Sequence, residues 1–412
     1  MCFIYFVKAQ IDFLDINTHI VYNKIKYFVK VIFMKITMVA PYNIKNNMSW
    51  SGTPLSLYNA LKNCEENIVS TVNLSEYYTD FRVKTNLLSH LDIKRTIVEH
   101  NPVSKLGPSI MNPLNSRILN KICKKDDADV LIEFGGFVTN KDMPPYYVYT
   151  DASHDLALDY YKITGVMPVN HNYSVEETEK AAEYVRRIYQ NAAGVFCMSD
   201  FLARSMINTT GVKKEKVHTV YAGSNWHDIK LPYVEPKKLN KNSDFNILLT
   251  GIDYYRKGID IAIDAVEILN KDTDRRFILN LCGTDRVVEQ KDYIINHGFT
   301  NKKKLVSLLQ KSDLFVLPSR FDCFGIAFVE AMTFGLPCIG RKLCAMPEII
   351  DEGINGELIT DDNPEKLAGL IFKICSNESL YHRYSENAIQ KAKVFTWENT
   401  AKRIMNVLNS NK

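Results

Sequence analysis

The stretch DLFVLPSRFDCFGIAFVEAMTFGLPCIG, residues 313–340, decides the fold class. It begins with an apolar run that reads as a buried strand over 313–318. A short loop from Arg320 to Cys323 leads into a helix over 324–334. Gly335 stops that helix and Pro337 opens the next strand, 337–340. Strand, helix and strand in this order make one parallel unit, with sheet faces covered by helices.

The same alternation extends in both directions. In the first half, strands are expected at 35–40, 67–73, 94–99, 129–134, 146–150, 194–198 and 216–221. In the second they are expected at 245–250, 277–282, 293–296, 313–318 and 337–340. Amphipathic segments such as 174–190 and 257–270 lie between them. Two successive sets predict an α/β chain of two doubly wound, Rossmann-like domains facing a cleft. The polar, proline-bearing run at 230–242 reads as the linker. The expected division is 34–232, 242–394 and a last helix within 395–412, preceded by a non-core extension at 1–33. That extension has no basic n-region and no cleavage site, and Met34 opens the first strand. It reads as the product of an upstream start codon or as an interfacial segment, with Lys24, Lys26 and Lys30 among Tyr27, Phe28, Val31 and Ile32.

Composition excludes several classes. With 412 residues, 46% hydrophobic and 24% charged, the chain is neither largely disordered nor a small disulfide scaffold. A net charge of +4 gives no reason to expect nucleic acid as a partner. Nine cysteines without CxxC or zinc spacing read as buried free thiols in a reducing cytoplasm. No apolar run reaches the length of a membrane span. The stretch 116–125 places Arg117, Lys121 and Lys124 beside Ile118, Leu119 and Ile122. It reads either as a peripheral membrane contact or as an amphipathic surface helix. No GxGxxG or GxxxxGK[ST] loop follows a first strand, which argues against a dinucleotide oxidoreductase and a P-loop kinase. The pairs Asp127/Asp129 and Asp272/Asp274 precede strands and read as helix-to-strand turns, so no metal site is expected.

In open parallel sheets, ligands bind beyond the carboxyl ends of the strands. The N–H groups of Phe324, Gly325 and Ile326 then face the cleft and suit phosphate or sugar oxygens. Asp322 before the helix and Glu330 within it could accept hydrogen bonds from hydroxyls at the two ends of a nucleotide sugar. The bland alternatives are a helix cap for Asp322 and a solvated helix residue for Glu330. Arg256 and Lys257, after the strand 245–250, could neutralise a diphosphate or form a solvated basic pair. Gly52, Thr53 and Pro54 suit a tight loop, a helix cap and a first helical position. Asp151 and His154, at another strand end, are candidates for orienting a hydroxyl, or a helix cap and a surface residue.

The stretch 313–340 resembles the signature of retaining GT-B glycosyltransferases of family 4, P-S-x-x-E-x-F-G-x-x-x-x-E-A-x-x-x-G-x-P. Pro318, Ser319, Phe324, Gly325, Glu330, Ala331, Gly335 and Pro337 stand in register, with Asp322 at the first Glu position. Gly251, Lys257 and Gly258 resemble the G-R-x-x-x-x-K-G element, with Ile252 at the Arg position. Glu348 stands at the family's downstream Glu, and Cys344-Ala345 where glycines are usual. The 50–54 loop, the Asp151–His154 segment, the 194–202 strand and capped helix, the Tyr221-Ala-Gly-Ser-Asn225 turn and the 395–398 helix start resemble further family elements.

The resemblance implies a GT-B fold and transfer of a sugar from a nucleotide-sugar donor to an acceptor hydroxyl, with retention. Glu330 would hold the ribose, Asp322 and Glu348 the donor sugar, and Arg256 and Lys257 the phosphates. Gly52 and Thr53 would close over the donor, and Asp151 or His154 would serve the sugar or the acceptor. No cofactor is expected beyond the nucleotide-sugar substrate. The acceptor would be a saccharide or lipid-linked saccharide in surface polysaccharide synthesis, in the cytoplasm or at the inner face of the membrane. The competing functions are a nucleotide-sugar 2-epimerase of the same architecture and a non-catalytic sugar-nucleotide-binding subunit.

Overall fold

The computed structural model describes residues 33–46, 49–64, 67–74, 76, 117–123, 126–136, 143–168, 174–226, 234–240, 242–284, 286 and 291–411. The expected strand 94–99, nearly all of the 1–33 extension and part of the 230–242 linker lie outside the described residues.

The first half forms a parallel sheet of β1 (Met34–Ala40), β2 (Asn67–Asn73), β3 (Val130–Glu133), β4 (Tyr146–Thr150), β5 (Gly194–Cys197) and β6 (Val217–Thr219), in the order β2-β1-β3-β4-β5-β6. The second half forms another, from β7 (Phe245–Thr250), β8 (Phe277–Cys282), β9 (Ile294–Asn296), β10 (Leu314–Val316), β11 (Cys338–Arg341) and β12 (Gly356–Ile359). Its order is β12-β11-β10-β7-β8-β9. These are two doubly wound Rossmann-like sheets, as the alternation predicts. The strand β12 was not expected. It is four residues long, and its sequence GELI carries a buried Glu357, which breaks the apolar run that marks the other strands.

Strand order fixes where a ligand can sit. The chain reverses direction across the sheet between β7 and β10, so their carboxyl ends leave a crevice. The corresponding reversal in the first half falls between β1 and β3. Trp50, Phe134 and Tyr149 fill the space above that second point, with ring centroids 5.6–6.3 Å apart.

Helices cover the sheets. Those used below are α1 (Thr53–Lys62), α2 (His154–Thr164), α3 (Val175–Asn191), α4 (Asp200–Thr209), α5 (Ile259–Asp272), α6 (Lys302–Lys311), α7 (Ile326–Met332), α8 (Met346–Ile349), α9 (Pro364–Ser376), α10 (Glu378–Ala392) and α11 (Trp397–Ser410). Most open on a side-chain cap: Ser153, Ser174, Ser199, Asn301, Asn363, Asn377 and Thr396 each accept from a first-turn N–H. The last helix crosses back to the first half, where Asn411 donates to the Tyr147 hydroxyl at 3.1 Å.

Residues 117–123 are helical, but Leu119 and Cys123 are buried and Ile118 and Ile122 pack on the first-half core. Its apolar face is therefore covered by protein, while Arg117 and Lys121 are exposed. The described part fits the amphipathic surface helix, and residues 116, 124 and 125 of that stretch lie outside the described residues. Eight described cysteines are free and seven of them are buried. Among the described residues, no helix is long and apolar enough to cross a membrane.

Candidate active site

Two loops at the β7/β10 crevice are forced close together. Gly258, with φ 68°, opens α5, and a Cβ there would stand 2.5 Å from the Pro318 carbonyl oxygen. Only glycine tolerates both the backbone conformation and the contact. The Arg320 N–H donates to the Arg256 carbonyl at 2.8 Å, and the Arg256 guanidinium donates to the Phe321 carbonyl at 3.1 Å. These bonds join the loop after β7 to the loop after β10.

Between the loops lies a short ion pair. Lys257 Nζ is 2.6 Å from Asp322 Oδ2, with both side chains largely buried. Lys257 thus lies beside the carboxylate that sequence assigned to the donor sugar, and Asp322 is not a helix cap. The cap position of α7 belongs to Gly325, with φ 81°. A side chain there would strike Met346 Cε at 2.6 Å. The helix is shorter than the expected 324–334, because Gly335 adopts φ 70° and the turn before it is already tightening. The N–H groups of Phe324, Gly325 and Ile326 have no acceptor among the described residues. The Phe324 ring itself is core, edge-on to Phe395 at 5.9 Å, so only its backbone can serve a ligand.

Glu330 turns toward the other half of the molecule. Its Oε1 accepts from the Asn225 N–H at 3.3 Å. Burial pushes its carboxyl up to about 7, against the opposing pull of that N–H and of the Lys302 ammonium. A carboxylate so placed is not a solvated helix residue. Asn225 is a hub that spacing did not reveal. Its side chain donates to the Ser51 carbonyl at 2.7 Å and accepts from Ser56 at 2.8 Å and from the Trp397 indole at 3.0 Å. Its carbonyl accepts from Lys302 at 3.0 Å. The sequence marked Tyr221–Asn225 only as a turn.

The first-half wall contains the loop at 49–53. Trp50 and Ser51 both adopt positive φ, 44° and 55°, and Gly52 follows at 86°. Gly52, not Thr53, is the cap of α1. Thr53 is fully buried, and its hydroxyl has no partner in the described structure. The expectation that Thr53 caps the helix fails because the helix begins one turn position earlier than the Pro54 signal suggested.

Asp151 follows β4. Burial raises its carboxyl to about 6; its own backbone N–H lowers it, Asp322 across the cleft raises it, and the Trp50 indole lowers it. Asp151 is not a helix cap, since Ser153 caps α2. His154 is the first residue of α2, and burial lowers its imidazole below the ordinary range against the opposing effect of Asp155.

Glu348 serves neither crevice loop. Both of its oxygens accept N–H groups at the start of α4, from Asp200 at 2.8 Å and Phe201 at 2.6 Å. It caps a first-half helix from the second half, so in this structure it is occupied by the protein rather than free for the donor sugar. Arg256 lies part-buried against Phe321, which removes the reading of a solvated basic pair.

Residues 234–391 match the family model described as Glycosyl transferases group 1. The second half, with both crevice loops and Glu330, lies inside that match. An uncharacterized glycosyltransferase of Methanocaldococcus jannaschii is 27% identical over 218 residues, 50% of this chain and 57% of the relative. The chain spans a little over half the length of the first curated relatives it matches, 55% to 59%. Among solved structures, the apo lipopolysaccharide outer core galactosyltransferase WaaB superposes with TM-score 0.64 at 14% identity, covering 92% of this chain and all of its own. Anabaena HepE, solved in complex with UDP-glucose, superposes with TM-score 0.59 at 17% identity, with 92% and 100% coverage. These likenesses show the two-domain GT-B architecture.

Proposed function

We propose that the protein is a retaining glycosyltransferase that moves a sugar from a nucleotide-sugar donor to an acceptor hydroxyl in polysaccharide or glycoconjugate synthesis. The observation that carries this reading is the largely buried Lys257–Asp322 ion pair between the loops that follow β7 and β10, with Glu330, half-buried on the helix that leaves the second loop, inside the segment that matches the glycosyl transferases group 1 model. A structural neighbour bound to UDP-glucose supports a nucleotide sugar as the donor class.

Glu330 accepts hydrogen bonds from the ribose hydroxyls. Lys257, with Arg256 beside it, neutralises charge on the departing diphosphate. Asp322, released from Lys257 as the phosphates arrive, accepts from the donor sugar. The N–H groups at 324–326 add donors to the phosphate oxygens. Asp151, whose carboxyl burial raises, is assigned to orient the acceptor hydroxyl, with His154 three positions on as the second candidate. Glu348 holds the two halves in register and does not touch the sugar. The anomeric C–O bond to the diphosphate breaks, the acceptor oxygen bonds to the same face, and the acceptor proton passes to the departing diphosphate oxygen. The nucleotide sugar is a substrate, and no other cofactor takes part.

The test is incubation with a panel of nucleotide sugars, with and without saccharide acceptors. Release of nucleoside diphosphate should be stimulated by acceptor, and the product should keep the donor's anomeric configuration by NMR. Epimerised free sugar without acceptor, inverted product, or no release with any donor overturns the reading.

A further inference from the structure

A pocket of about 300 Å³ opens beside the Lys257–Asp322 pair and is lined from both halves of the molecule. From the first half come Tyr160 of α2 and Val166 beyond its end; from the second come Asp253, Tyr255, Arg256, Arg341 and Asp362. The chain itself places the pocket next to the crevice. Arg256 and Phe321 line it, and the following residues, Lys257 and Asp322, form the ion pair. Tyr160 holds the two walls together: its hydroxyl donates to the Arg320 carbonyl at 2.7 Å, and its ring meets Phe321 edge-on at 4.8 Å.

We propose that this pocket is the acceptor subsite and takes a neutral saccharide; the inference rests on the sugar-transfer reading above. The first reason is an open aromatic surface. Tyr255 is 54% exposed although the Arg320 guanidinium lies 3.8 Å from its ring centroid. A ring supported in this way offers a flat apolar surface to the C–H face of a pyranose.

The second reason is the mixture of donors and acceptors. One Nη of Arg256 donates to the Phe321 carbonyl, and its other Nη has no partner among the described residues. Arg341 directs Nε and one Nη at the Pro318 carbonyl and Asp362, leaving its second Nη without a partner there. The carboxylates of Asp253 and Asp362 stand beside these donors. Hydroxyl groups both donate and accept, so they match such a lining better than a group that only accepts.

The third reason is charge. Arg256, Arg320 and Arg341 line the pocket with Asp253 and Asp362, and Asp260, outside the lining, pairs with Arg320, so the ion-pair network balances three charges of each sign. An anionic sugar would meet Asp253 and Asp362 at close range with no surplus cation to receive it. A neutral one meets no such repulsion.

The experiment titrates the full chain with methyl glycosides of neutral hexoses and with the matching hexuronates, using saturation-transfer NMR and calorimetry. Neutral glycosides should bind and hexuronates should not. Tyr255→Ala should weaken neutral-glycoside binding about tenfold, and Tyr255→Phe should retain it. In turnover, Tyr255→Ala should raise acceptor KM more than it lowers kcat. Preferential hexuronate binding, no neutral binding at millimolar concentration, or equal affinity in Tyr255→Ala overturns the proposal. A thermal shift with nucleoside diphosphates separates the two readings. If diphosphates do not bind but neutral glycosides do, the transfer reading fails and the pocket stands as a saccharide site.

Discussion

The second-half wall of the cleft is built from two loops at adjacent strand ends. Lys257, Asp322 and Glu330 all belong to elements flanking β7 and β10. The first-half wall draws on separate segments: Ser51, Asp151, the N–H groups of Asp200 and Phe201, and Asn225. The chemistry differs as well. The second half supplies charged side chains, a cation against a carboxylate and a half-buried acid. The first half contributes mostly backbone groups, one buried amide and a single carboxylate, Asp151, and the backbone groups and the amide position the charged groups of the other wall. A binding wall written in two motif segments is thus oriented by a partner wall gathered from several shorter, scattered ones.

That contrast can be broken, most strongly at Asn225. Asn225→Ala leaves the Trp397 indole and the Ser56 hydroxyl without their shared acceptor. It should cost about 2–3 kcal/mol of stability in urea unfolding. A loss below that of an average surface substitution would remove Asn225 from its hub role.

Next comes Lys257. Lys257→Ala should weaken nucleoside-diphosphate binding about tenfold by calorimetry, with a smaller loss for Arg256→Ala, whose guanidinium is already tied to Phe321. The reverse order would move the phosphate site to the far side of the loop.

The smallest effect belongs to Glu348. Glu348→Ala removes the cap that α4 borrows from the other half. It should cost about 1 kcal/mol and broaden the solution-scattering profile of the free chain. Unchanged stability with a large loss of donor affinity would return Glu348 to the sugar.

Much of this was legible in the sequence, and the part that was not has physical causes. The expected strands 67–73, 146–150, 245–250 and 277–282 coincide with β2, β4, β7 and β8, since short runs rich in β-branched and other apolar residues between helical stretches leave little choice. Asp322 and Lys257 meet at one crevice because the crevice follows from strand order, while Glu330, on the helix that follows, reaches Asn225 of the first half. Asn225, Trp50 and Lys302 were missed because their roles depend on contacts across 100 or more residues for Asn225 with Glu330, which no local spacing records. Glu348 was assigned to the sugar for a related reason. Sequence shows a carboxylate near a crevice, but not the helix start from the opposite half that reaches it first.

The central claim is that Glu330 binds the nucleotide. Its raised carboxyl means the folded chain holds a proton that the unfolded chain has released between the ordinary carboxylate range and about pH 7, so this group's contribution to stability falls as pH rises through that window. Accepting from ribose hydroxyls requires the ionised form. The decisive measurement is therefore calorimetric titration of nucleoside diphosphates from pH 5.5 to 8.5 (a span chosen to bracket about pH 7), in wild type and Glu330→Gln. Wild-type affinity should climb through about pH 7 with proton release on binding, and Glu330→Gln should bind weakly at every pH without that step. Equal affinity and an identical pH profile in the two proteins would contradict the account.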